Sequence, residues 1–111
     1  MSADRENVQW LHGHYRVSIV ELAETCGVPE AIVRELVEYG ALAPADPHAE
    51  PWTFGAEWVV RMRKAARIRK DLELETGALA LVLSFLERID RLEGEITHLS
   101  AQLASPVRRR G

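Results

Sequence analysis

Four histidines and one cysteine are the residues of this 111-residue chain best suited to holding a metal. His12-Gly13-His14 and Cys26 are the candidates, but their separations match none of the ligand spacings that close a tetrahedral zinc site. No metal is expected. Cys26 falls on the apolar side of a helix, where a thiol serves as a small core residue. Serine, histidine and aspartate occur without a nucleophile elbow or a glycine-rich phosphate loop to place them. Trp52, Phe54 and Trp58 read as core contacts rather than a stacking platform. With no catalytic residue and no cofactor expected, the chain does not read as an enzyme.

The chemistry that remains is charge. The net charge of -3 hides a segregation: Tyr15 to Val60 carries eight acids against Arg16 and Arg34, whereas Arg61 to Lys70 carries six bases and no acid. Such asymmetry bears on partners more than the total does. A lone cysteine permits no intramolecular disulfide, which suits a reducing compartment. The opening Met-Ser-Ala-Asp-Arg-Glu is no secretory signal. The longest apolar run, Ala78 to Leu83, falls far short of a membrane span. A cytoplasmic protein without a membrane partner is expected.

These charges are positioned by helices. Ser18 and Glu21 have the spacing of a capping box, and Ile19, Leu22, Ala23 and Cys26 follow on one face. Gly27 ends that helix. A second helix runs from Pro29 to Tyr39, burying Ile32, Val33, Leu36 and Val37, and Gly40 closes it. Two short helices about a glycine turn predict a helix-turn-helix. Tyr15-Arg16-Val17 alternates like a short strand. Trp52-Thr53-Phe54 does too, and is expected to pair with Ala41-Leu42 as a small wing. A third helix spans about 56–72, with Arg63, Lys64, Arg67 and Lys70 on its outer half and Leu72 among its inner residues.

In the last helix, about 77–103, Ala78, Val82, Phe85, Ile89, Leu92, Ile96, Leu99 and Leu103 keep a heptad rhythm. Leu79, Leu81, Leu83 and Leu86 widen that stripe in the first half only. A wide apolar surface suits a core and a narrow one suits a partner helix. The expected fold is all-α with a minor β wing. Its parts are a flexible arm (1–14), a helix-turn-helix head (15–76), a dimerisation helix (77–104) and a disordered basic tail (105–111).

This succession resembles the MerR-like family. Val33-Arg34-Glu35-Leu36-Val37-Glu38-Tyr39-Gly40-Ala41-Leu42 is similar to the helix that MerR proteins insert into DNA. Ile19-Val20-Glu21-Leu22, Cys26-Gly27-Val28, Trp52-Thr53-Phe54, the basic Ala66-to-Leu72 stretch and the Leu-rich last helix are similar to CbpM-type chaperone modulators, a branch of that family. The resemblance implies a binder of the J-domain of a DnaJ-like, CbpA-type co-chaperone. Such a binder blocks both the stimulation of the Hsp70 DnaK and the co-chaperone's DNA binding. It also implies an antiparallel pairing of the long helices, whereas β-branched Val82, Ile89 and Ile96 at a with Leu92 and Leu99 at d would by themselves suggest a parallel pair.

The outward face of the second helix holds Glu30, Arg34, Glu35 and Glu38. Three carboxylates there oppose duplex phosphates, which Lys and Arg must neutralise. DNA binding through this helix is therefore not expected; a MerR-like DNA-binding transcriptional regulator is the alternative. The same four residues would suit the basic helix that J-domains expose, or would simply form a solvated face, and the sequence leaves both open. The bases of 61–70 are expected to pair with Glu57, Asp71, Glu73 and Glu75. Homodimerisation is expected through Ile89, Leu92, Ile96, Leu99 and Leu103.

Overall fold

A computed structural model describes residues 15–110, with side chains as far as Ala104. The elements are β1 (Arg16–Ser18), α1 (Ile19–Cys26), α2 (Glu30–Glu38), β2 (Thr53–Gly55), α3 (Ala56–Leu72) and α4 (Thr76–Arg110). The expected N-terminal arm, with His12 and His14, lies outside the described residues, as do the side chains of the expected tail.

The capping box is present. The Ser18 hydroxyl accepts from the Glu21 amide at 3.1 Å, and the Glu21 carboxylate accepts from the Ser18 amide at 2.8 Å. Both are amides that a helix start leaves without partners. Gly27 takes the left-handed conformation, φ 71°, and turns the chain into α2. Val28 is buried there, and its amide returns to the Ala23 carbonyl at 3.1 Å. Pro29 stands just before α2, where its missing N–H costs nothing.

The small sheet differs from expectation. β2 pairs antiparallel with β1, Arg16 opposite Gly55, Val17 opposite Phe54 and Ser18 opposite Thr53. Ala41 and Leu42 form no strand. Both are buried in the core, which accounts for their apolar character without any strand partner. The loop leading to β2 is tied to itself: the Ala45 amide donates to the Thr53 carbonyl at 2.8 Å. The Trp52 indole donates to the Pro47 carbonyl at 3.3 Å.

Phe54, Leu22, Leu36, Leu42, Met62, Leu79, Leu83 and Val33 are fully buried and make the centre of the core. Burying each such side chain contributes about 1.5–3 kcal/mol. α3 enters it through Trp58, Met62 and Ala65. Leu72, expected inside, is exposed; it is the last residue of α3, and Glu73 follows in the left-handed conformation at φ 52°. α4 closes the core with Leu79, Ala80 and Leu83. Every residue from Glu87 to Ala104 is exposed. No helix of the described residues is long and apolar enough to cross a membrane.

Candidate functional site

Three surfaces carry chemistry outside the core. On α2, Val33 and Leu36 point inward, so the 100° turn per residue directs Arg34, Glu35 and Glu38 outward. Arg34 is engaged within its own protein. It donates to the Glu30 carboxylate at 3.1 Å, one helical turn back. Its guanidinium also lies 5.8 Å from the centre of the Trp52 ring, across the loop that leads to β2. Glu30 is thereby paired at the surface. Glu35 and Glu38 are exposed, and neither has an ion-pair partner among the described residues. Tyr39, just past the helix, is exposed beside them. The face carries the three expected carboxylates, of which Glu30 is paired with Arg34.

On α3, the expected local pairing does not form. Arg61 reaches instead across to α4, donating to Asp90 at 2.7 Å while its guanidinium sits 4.6 Å over the Trp58 ring. Arg63, Lys64, Arg67 and Lys70 are exposed and have no ion-pair partner among the described residues. Acids at Glu57 and Asp71 share the same helix, but extended side chains in water gain little from each other. Nothing local in the sequence marks the Arg61–Asp90 contact, because its partners are far apart along the chain.

The third surface is the stripe on α4. Leu79, Leu83 and Leu86 line up toward the core, and one turn later Asp90 continues that line to Arg61. Phe85, Ile89, Leu92, Ile96, Leu99 and Leu103 lie roughly a third of the way around the helix from them. All six are about half exposed or more, reaching 75% at Leu103. Among the described residues nothing covers this stripe.

Cys26 is half-buried against the core. Burial pushes its thiol up to about 11, against a smaller opposing pull from the Arg63 guanidinium. The thiol is therefore protonated and a weak nucleophile at neutral pH. Among the described residues no group of three or more His, Cys, Asp or Glu is placed to hold a metal ion.

The chain matches the family of MerR HTH regulatory proteins over residues 17–101. It is similar to the chaperone modulatory protein CbpM of Pseudomonas entomophila (strain L48), 32% identical over 82 residues, 74% of this chain and 81% of that protein. The chaperone modulatory protein CbpM of Pseudomonas putida (strain GB-1) matches with the same identity and coverage. That of Citrobacter koseri is 31% identical over 78 residues, 70% of this chain and 77% of the other.

Proposed function

Because the chain belongs to the CbpM-type branch of the MerR-like helix-turn-helix family, we propose that it is a chaperone modulator acting by binding a J-domain. The partner is a DnaJ-like co-chaperone of the CbpA type. Holding its J-domain keeps it from stimulating the Hsp70 DnaK and from binding DNA. The observation that carries this reading is the outer face of α2. In a DNA-reading relative that face meets phosphate; here Glu35 and Glu38 are exposed and have no ion-pair partner among the described residues, while Arg34 is occupied by Glu30 and Trp52. An acidic helix face repels a duplex and attracts the basic helix of a J-domain.

Charge complementarity mainly raises the association rate and makes it depend on salt. Reversing both acids, Glu35→Lys with Glu38→Lys, is expected to weaken J-domain binding several-fold at low salt and less at high salt, with the circular dichroism of the head unchanged. Titration of the purified J-domain measures this. Equal affinity of parent and variant at low salt would place the contact elsewhere.

The active species in this reading is a homodimer, in which Ile89, Leu92, Ile96, Leu99 and Leu103 are covered by a second copy. One observation favours a second reading, a DNA-binding regulator: the exposed bases Arg63, Lys64, Arg67 and Lys70 on α3, which have no ion-pair partner among the described residues. Tight and steeply salt-dependent binding to random duplex DNA would decide for it.

A further inference from the structure

α3 ends at Leu72 and α4 begins at Thr76, so a short turn sends α4 back alongside α3. The turn closes one end of this hairpin, and Arg61 with Asp90 ties the other. One line of residues holds α4 against the head: Leu79 and Leu83, fully buried, Leu86, half-buried, and then Asp90. Their 4-3-4 spacing keeps them on one side of the helix. At Asp90 the contact changes from apolar packing to a charged hydrogen bond, donated by Arg61 Nε over 2.7 Å.

This pair is unlike Arg34 with Glu30, which lies within one turn of α2. Arg61 and Asp90 stand 29 residues apart along the chain, on different helices. The Arg61 side chain is 15% exposed. Its guanidinium rests 4.6 Å from the centre of the Trp58 ring, and Trp58 is itself buried. A mobile surface pair spends most of its attraction on ordering two long side chains. Arg61 is already ordered by the ring beneath it, so the carboxylate meets a donor of fixed position.

Leverage decides what such a contact does. From Leu79 to Leu86 the apolar line supports α4 over about 11 Å, and Asp90 lengthens that support to about 17 Å. Beyond Asp90 the helix runs about 21 Å further to Ala104. The angular play of a rod falls as its socket lengthens. The added support therefore narrows the sweep of the far end about 1.6-fold, the ratio of the two lengths.

We propose that Arg61 is a positioning residue, which with Trp58 and Asp90 locks the direction in which α4 leaves the head. The angle between the outer face of α2 and the α4 stripe is then set by the fold, with no hinge at the point of exit.

Double electron–electron resonance measures this directly. Spin labels are placed on Glu24→Cys of α1 and Ala101→Cys of α4 in a Cys26→Ala background; Glu24 and Ala101 are both exposed. Dilution into a large excess of unlabelled chain of the same variant isolates the distance within one chain, so the oligomeric state does not enter. The parent is expected to give one narrow distance distribution. Asp90→Ala and Arg61→Ala are each expected to widen it about 1.6-fold. The double variant R61A/D90A is no wider than the wider single one, because both remove the same contact. Arg63→Ala, at an exposed base of the same helix, keeps the parent width. Asp90 is 41% exposed, so Asp90→Ala is also expected to leave the unfolding midpoint of the head near that of the parent, which separates positioning from stability. Widths equal to the parent in both single variants would show that Leu79, Leu83 and Leu86 alone aim the arm, and would overturn the proposal. Widening by Arg61→Ala without widening by Asp90→Ala would overturn it too, since Arg61 would then act by covering Trp58.

Discussion

Leu83 and Ile96 are both large aliphatic residues of α4, yet Leu83 is fully buried and Ile96 is 63% exposed. They belong to two stripes that run side by side on one helix. The first, through Leu79, Leu83 and Leu86, is short and meets α3 and the helix-turn-helix. The second, through Phe85, Ile89, Leu92, Ile96, Leu99 and Leu103, is long and is left uncovered by the described residues. Apolar character alone does not separate a core from an interface; the width of the apolar surface and what flanks it do. Where both stripes are present, around residues 79–86, the helix is apolar nearly all round. Where only the second continues, Arg91, Glu93 and Glu95 flank it.

Substitution in each half separates the two roles. Leu83→Ala leaves a void among fully buried neighbours and is expected to cost the head about 2–5 kcal/mol, a large share of a small domain's stability. Chemical denaturation measures it. A loss below 1 kcal/mol, roughly the scale of a surface change, would show that the first half of α4 is not part of the core. Ile96→Asp is expected to leave the head folded and the chain monomeric at tens of micromolar, which light scattering shows, because a carboxylate in a helix seam is left unpaired. Unfolding of the head by this substitution would erase the distinction between the halves. The smallest effect is expected at Gly94. An added Cβ there meets nothing within 4 Å. Gly94→Ala should therefore strengthen the arm by up to about 1 kcal/mol through helix propensity alone, raising the melting temperature slightly. A weaker dimer instead would mean that another helix approaches closely at that position.

The helices of the head were legible because their signals are local. Ser18, Glu21 and Gly27 mark the ends of α1 within a few residues of one another, and the expected span of the third helix agrees with α3 at Ala56–Leu72. The pairing of β2 was not legible. Trp52-Thr53-Phe54 announces a strand, but nothing in its neighbourhood says whether its partner is Ala41-Leu42 or Arg16–Ser18, and local alternation does not encode a distant register. Leu72 was misplaced for a related reason: helical periodicity assigns a face without saying where the neighbouring helix stops covering it. At the candidate site, the outward direction of Glu35 and Glu38 follows from the helix turn alone. The capture of Arg34 by Trp52 and of Arg61 by Asp90 needed the fold, since each joins residues whose separation in sequence carries no pattern. The left-handed Glu73 had no glycine to announce it.

The pairing of β1 with β2 joins Ser18 to Thr53, and so closes a loop containing all of α1 and α2. Closing a loop costs chain entropy that grows with the logarithm of its length, and two three-residue strands return little against that cost. The order of folding follows. The helices inside the loop are expected to gather first and shorten the gap, with the strands joining once Phe54 has a pocket to enter. A chain leaving the ribosome holds its first strand unpaired until residue 55 has emerged, and its core stays open until Leu79 and Leu83 arrive. The head therefore becomes stable only when the helix that also bears the arm is already being made.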